Sequence, residues 1–269
     1  MKKLVLIFLL TGSVVFAQKQ EKRTVADFAA IQVSQSIQLD FTYGGTKSVA
    51  VQVQDEKDMQ YVKTEVKNGV LQVFIDTPKG TFNYRTGSVQ VQVSNPTLTA
   101  AYISSSARLN VQNKMVVKDF KVAASSSGTF TGNLIQTDNL DVAASSSAKI
   151  EGKFEVANNT AIDVSSSAKV DLDLKGNKVD MAASSSAKIE VEGTAKTVVA
   201  KVSSSAKIDG KELAIKTLDG KASSSGMMSF NVADEVRGKA SSSGKIAIYG
   251  TATLVDVKKS SGGKIEKVK

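Results

Sequence analysis

A single tripeptide limits what this chain can fold into. Ser-Ser-Ser begins at Ser104, Ser125, Ser145, Ser165, Ser184, Ser203, Ser223 and Ser241, and a ninth copy, reduced to Ser-Ser-Gly-Gly, follows at Ser260. The steps between copies are 21, 20, 20, 19, 19, 20, 18 and 19 residues. A period held that closely marks a stack of supersecondary units, because each unit has an apolar face that it cannot bury without a neighbour.

The flanks of the triplet say what the unit is. Five residues before the first serine stand Phe120, Leu140, Thr160, Val179, Val198, Leu218, Val236 and Val255. Five residues after it stand Leu109, Phe130, Ile150, Val170, Ile189, Ile208, Met228, Ile246 and Ile265. Odd offsets are small or apolar and even offsets polar, which is the period of a strand and not of a helix. Carried straight through the triplet, the alternation places the middle serine (Ser105, Ser126, Ser146 and their equivalents) inside, next to Ala107, Gly128 and Ala148. A hydroxyl there needs a partner, and the serine one turn above or below would supply it. Eleven alternating residues at about 3.3 Å each would span roughly 36 Å, longer than an ordinary strand, so a bend is expected near the triplet.

These readings predict an all-β protein built as a parallel β-helix, a right-handed β-solenoid of about 19–20 residues per turn with three short strands in each. A flexible linker explains serine runs but has no use for phased Ile and Val on either side. An outer-membrane barrel wants aromatic girdles, whereas aromatics are 6% of this chain and Trp is absent.

The ends read differently. Residues 1–17, MKKLVLIFLLTGSVVFA, combine a basic start, an apolar run and a small residue at Ala17, which predicts a secretory signal cleaved before Gln18. The apolar run, about 13 residues, is too short for a membrane span, so the expected association with a membrane is peripheral at most. Residues 18–100 lack the triplet but alternate in short runs, and Asn68-Gly69 between two of them signals a hairpin whose turn needs positive φ at both positions. Pro78 and Pro96 fall at loops bounding strands. This segment is expected to form an N-terminal antiparallel capping sheet on the solenoid of residues 101–269, since an open solenoid end is an adhesive edge.

Composition removes most chemistry. With no His and no Cys, the usual general base and the thiol nucleophile are missing, and no disulfide framework exists. No nucleotide fingerprint, nucleophile elbow or EF-hand loop occurs, so no cofactor and no metal are expected. The formal charge of +9 becomes +7 once Lys2 and Lys3 leave with the signal. The remaining lysines are dispersed, which suits a soluble surface better than a nucleic-acid partner.

Two sets of residues are candidates for binding. Directly after the small residue that follows each triplet runs an outward column containing Arg108, Lys149, Lys169, Lys188, Lys207, Lys245 and Lys264. Two positions further on stand Glu151, Asp171, Glu190, Asp209 and Glu266, so lateral ion pairing is expected to cancel much of the field. Away from the repeat, Phe82, Tyr84 and Tyr102, with Arg85 and Lys79 nearby, form an aromatic and cationic set able to stack on a sugar ring.

An opening Arg23, Val25, Phe28, Ile31, then Asn68-Gly69-Val70-Leu71, a train of small-residue triplets, and a closing Ile248-Tyr249-Gly250-Thr251 together resemble the putative auto-transporter adhesin head, GIN-domain family of exported bacterial proteins. The resemblance covers roughly 23–267. Where the family's triplet is closer to Ser-Gly-Ser-Gly, this chain mostly has Ser-Ser-Ser-Ala. The resemblance implies a β-helical fold and an exported, non-enzymatic binding role, and it supplies no catalytic residue. Residues and resemblance together lead to the expectation of a surface or periplasmic adhesion module. Its partner would be an envelope or extracellular glycan or a surface protein, and not nucleic acid. The alternative is a polysaccharide-degrading β-helix lyase or glycosidase, which should break the columns with a one-off carboxylate cluster in a groove.

Overall fold

The computed structural model describes residues 19–77 and 86–268. The expected signal segment, Pro78 and four members of the aromatic and cationic set, Lys79, Phe82, Tyr84 and Arg85, lie outside the described residues. In chain order the N-terminal strands are β1 (Lys19–Arg23), β2 (Ala30–Val33), β3 (Gln38–Tyr43), β4 (Ser48–Val53), β5 (Val62–Lys67), β6 (Val70–Ile75), β7 (Val89–Asn95), β8 (Ala100–Ile103) and β9 (Arg108–Val111). A 3₁₀ helix at Glu56–Gln60 lies between β4 and β5. The strands β10 (Met115–Ala124), β11 (Thr129–Ala144) and β12 (Lys149–Val164) follow, and the chain continues the same coil to its C-terminal strand at Lys264–Lys267.

Successive turns pair in parallel and in register. Phe130 lies against Leu109 on one side and Ile150 on the other, and Val142 against Val122 and Ile162, so the columns read from the sequence are columns in space. The all-β solenoid of about eight turns is therefore the observed architecture. Within β11 and β12 the pairing breaks register between Gly132 and Ile135 and again between Thr137 and Asn139. In this pair of turns the breaks and the serine corner mark off three flat stretches, as bulges bend a continuous strand.

The corner itself corrects one expectation. The middle serine does not point inward: Ser105, Ser126, Ser146 and the corresponding serines are exposed, as are the third serines. Both carry positive φ, 51° and 61° at Ser105 and Ser106 and 51° and 62° at Ser146 and Ser147. The Ala107 N–H donates to the Ser104 carbonyl at 3.0 Å, which closes a type I′ turn over the two serines. Alternation holds only for extended backbone, and these two residues are left-handed. The turn consumes an even number of residues, so Ile103 before it and Ala107 after it are both buried, and the parity elsewhere survives.

No serine hydroxyl ladder holds the corners; the backbone does. The third serine's N–H donates to the middle serine's carbonyl of the next turn, as in Ser106 to Ser126 at 2.9 Å, Ser147 to Ser166 at 3.0 Å and Ser205 to Ser224 at 3.0 Å. The first serine's N–H donates to the residue ahead of the previous corner, as in Ser145 to Ala124 at 3.0 Å. Left-handed backbone costs about 1–2 kcal/mol per non-glycine residue. Three corner hydrogen bonds at about 0.5–1.5 kcal/mol each offset it. A corner that would be strained alone is thus held by its neighbours.

The interior is narrow and apolar. Phe120 before the Ser125 corner and Phe130 after it meet across the interior with ring centroids 6.0 Å apart and planes tilted by 44°. Phe41, Phe130, Phe154 and Phe230 are fully buried, each worth about 1.5–3 kcal/mol of burial. Thr160 also sits inside at 1% exposure, and its hydroxyl has no hydrogen-bond partner among the described residues.

The coil reaches into the segment without triplets. β2 pairs in parallel with β8, and β3 with β9, and between β2 and β3 the pair Gln35–Ser36 has φ of 60° and 59°. This is the same corner with another sequence, and the Ser36 N–H donates to the Ser105 carbonyl at 2.9 Å. On the other side β2 and β3 pair in parallel with β6 and β7. The outermost turn is thus made of later residues than the turn it covers. Its free edge is closed by antiparallel strands, β5 on β6 through the Asn68-Gly69 turn and β4 on β7, with β1 added to β4. Two strands are left as outer edges, β1 and β5, and the charges of Glu21, Lys22 and Arg23 on one and of Lys63, Glu65 and Lys67 on the other oppose further pairing.

Candidate binding face

The basic column occupies one line along the coil. Arg108 pairs with Thr129, Thr129 with Lys149, then Lys169, Lys188, Lys207, Met227 and Lys245 follow in unbroken parallel register. Its middle is neutralised. Lys149 reaches Glu151 at 2.6 Å, Lys188 reaches Glu190 at 2.6 Å, and Lys207 reaches Asp209 at 3.0 Å. Lys169 bridges two turns, to Asp171 at 3.3 Å and Glu190 at 2.7 Å. Hydrogen bonds from Lys169 and Lys188 hold the Glu190 carboxyl below its ordinary pKa, and the Lys169 ammonium is raised by its bond to Glu190. At Asp209 burial works to raise the pKa, but hydrogen bonds from Lys207 and Ser229 outweigh it and the carboxyl is lowered. Such a ladder spends its charge on itself. Arg108 and Lys245, next to Asn110 and Ala247 in the acidic column, have no ion-pair partner among the described residues.

Of the aromatic set, Tyr102 alone is described. It sits half-buried on β8, paired with Gln32 and Ala123, and faces a groove of about 880 Å³. The groove runs along the coil just ahead of the serine corners, its floor formed by the residue two before each triplet and one wall by the first serines. From one turn to the next that floor reads Gln32, Tyr102, Ala123, Ala143, Asp163, Ala182, Lys201 and Lys221. Seven steps at about 4.8 Å give a length of roughly 34 Å. The reading of the sequence passed over this feature. The signal for it is the offset of two before the triplet, where outward side chains shrink to alanine over several turns and then become lysine.

The lysine end continues past the groove. Lys201 pairs with Lys221, Lys221 with Lys239 and Lys239 with Lys258, all four exposed. Unlike the ladder beyond the corner, Lys201, Lys221 and Lys239 have no carboxylate within ion-pair distance among the described residues, and Lys258 has only Asp256 at 3.9 Å.

The sequence profile of the family described as putative auto-transporter adhesin, head GIN domain, matches residues 27–158 and 152–252. Among solved structures, a putative adhesin from Parabacteroides merdae is similar at a TM-score of 0.70 and 18% identity over 94% of this chain and 96% of that one. A putative adhesin from Parabacteroides distasonis is similar at 0.63 and 20% identity, over 93% and 97%. A putative lipid binding protein from the same species matches at 0.61 and 18% identity, over 94% and 97%. These likenesses carry the fold. No curated protein matches the chain.

Proposed function

Because the chain belongs to the GIN-domain family of putative auto-transporter adhesin heads, we propose that it is an exported, non-catalytic adhesion module that recognises a glycan or a surface protein through the long polar faces of its coil. The signal-like residues 1–17 and the family support a periplasmic or cell-surface location. The observation that carries the reading is the continuity of the columns. Acids recur as rungs of an ion-pair ladder, where an enzyme of polysaccharides would gather carboxylates once, in a groove. Among the described residues no three His, Cys, Asp or Glu side chains gather closely enough to hold a metal. No described helix is long and apolar enough to cross a membrane. The candidate contacts are Tyr102 in the groove, the lysines that continue it and the unpaired Arg108 and Lys245, with Phe82, Tyr84 and Arg85 as further sugar-stacking candidates.

The test is to probe the protein on a glycan array and, in parallel, to incubate it with a panel of polysaccharides while following new reducing ends and unsaturated products. Retention of a defined set of glycans without product is the expected result. Product release would establish the lyase or glycosidase reading, and retention of neither glycan nor surface protein would overturn adhesion.

A further inference from the structure

We infer that the lysine column of Lys201, Lys221, Lys239 and Lys258, the first three without an ion-pair partner among the described residues, is with the groove leading from it a docking track for a single strand of anionic polysaccharide laid along the coil axis. The inference rests on the adhesion reading and gives it a site and a ligand class.

Four ammonium groups one turn apart, at about 4.8 Å, repel one another. Elsewhere on this coil stacked lysines are relieved by acids two residues further along, at 2.6–3.3 Å. In this column the acids two residues before are only Asp219 and Asp256, and Arg237 stands between them in register. The first of these makes no ion pair with Lys221, and Arg237 is held by Glu235 at 2.8 Å on its own strand. A row of like charges left uncompensated on a rigid sheet is preorganised for a partner that brings one negative charge per turn.

The chemistry of the surroundings selects the partner. Beside the lysines runs the row of first serines, Ser203 and Ser223 among them, and beyond them the floor up to Tyr102 is alanine interrupted once, by Asp163 two turns from Lys201. A sugar strand presents what this surface asks for: carboxylates or sulfates for the ammoniums, hydroxyls for the serines, and C–H faces for alanine and the tyrosine ring. Its residues advance by about the rise of one turn. A single-stranded nucleic acid would need aromatic platforms between the cations, and the lysine column has none. A membrane surface would need a set of exposed large apolar side chains to insert; none lines the groove beside Lys201 and Lys221, and the strand of Lys258 offers a single one, Val255.

The test uses fluorescein-labelled polygalacturonate, with neutral dextran and phosphatidylglycerol vesicles as comparison probes, in low and high salt. Lys201→Gln, Lys221→Gln, Lys239→Gln and Lys258→Gln together remove four charges from the open column. Lys149→Gln, Lys169→Gln, Lys188→Gln and Lys207→Gln together remove the same four from the paired one. The open-column variant is expected to bind polygalacturonate about thirtyfold more weakly and with a shallower salt dependence, from four exposed contacts of about 0.5 kcal/mol each. The paired-column variant should change less than threefold. Melting curves check folding, and the four Lys→Arg replacements, which keep the charge, should restore binding. Equal losses from the two columns would show that only net charge matters and overturn the track. So would equal binding of dextran, or a preference for the vesicles. If the array shows a neutral glycan bound while polygalacturonate is ignored, the track fails and the adhesion reading stands.

Discussion

Gly244, three residues past the start of its corner, is the place where the approach of neighbouring turns can be measured by a single methyl. A Cβ built there would lie 2.5 Å from both the carbonyl carbon and oxygen of Ala222 and 2.7 Å from the Ser223 nitrogen, where ordinary contact is 3.4–4 Å. The obstacle is backbone, and it is held. Ser241 donates to the Ala222 carbonyl at 3.0 Å, Gly244 to Ser241 at 2.8 Å and Lys245 to Gly226 at 2.9 Å. Gly244→Ala must therefore push neighbouring turns away from each other, an overpacking cost of about 1–3 kcal/mol. Against this, Gly244 lies outside the left-handed region, so alanine also restricts the unfolded chain and returns about 0.4–1 kcal/mol. The steric effect wins, with a net loss of about 1–2 kcal/mol.

Gly176→Ala isolates that effect. Its Cβ would meet only side-chain atoms, Val179 at 3.4 Å and Leu174 at 3.6 Å, so the unfolded-state effect acts alone and the variant should be neutral or slightly more stable. Urea unfolding of both variants followed by circular dichroism gives the difference. Hydrogen exchange locates it: stability in a solenoid is shared between nearest neighbours, so amides of 241–267 should exchange faster while those of β11 keep their rates. A Gly244→Ala protein as stable as the parent, or a Gly176→Ala protein equally damaged, would show that turn-to-turn approach does not dictate glycine at this corner.

Three further outcomes are expected. Replacing Ser146 and Ser147 by Asn and Gly, the preferred type I′ pair, should raise stability by roughly 1 kcal/mol in thermal melts, whereas an inward residue 146 would make the larger Asn destabilising. Thr160→Val, which swaps a buried unpartnered hydroxyl for a methyl between Leu140 and Val179, should stabilise by about 1 kcal/mol; a loss would mean the hydroxyl is satisfied. Glu190→Gln should cost about 0.2–1 kcal/mol at neutral pH. Because the folded-state pKa of Glu190 lies below its ordinary 4.5, its contribution is present above that value and lost as pH falls through the lowered one. The stability gap between parent and variant should therefore close in acid, and a gap that widens there would contradict the ladder.

Much of the fold is local, and the sequence by itself determined it. Alternation of Phe130, Ile150 and Val170 with polar neighbours dictates strands, and a fixed period puts those residues in one column whatever else the chain does. Asn68-Gly69 dictates its hairpin for the same reason, since its φ of 52° and 73° are conformations those residues accept cheaply. The paired basic and acidic columns were equally legible, being two residues apart on one strand. What only the tertiary structure decided is where local preference is overruled or where distant segments choose partners. Serines prefer other backbone regions, and they adopt left-handed turns here because the turns above and below supply the hydrogen bonds. The placement of β2 and β3 between the later β6–β7 turn and β8–β9 follows from which edges can be buried together, a comparison no window of sequence contains. The groove and its open lysine column arise in the same way: Lys201, Lys221, Lys239 and Lys258 are far apart along the chain, and stacking alone makes them neighbours.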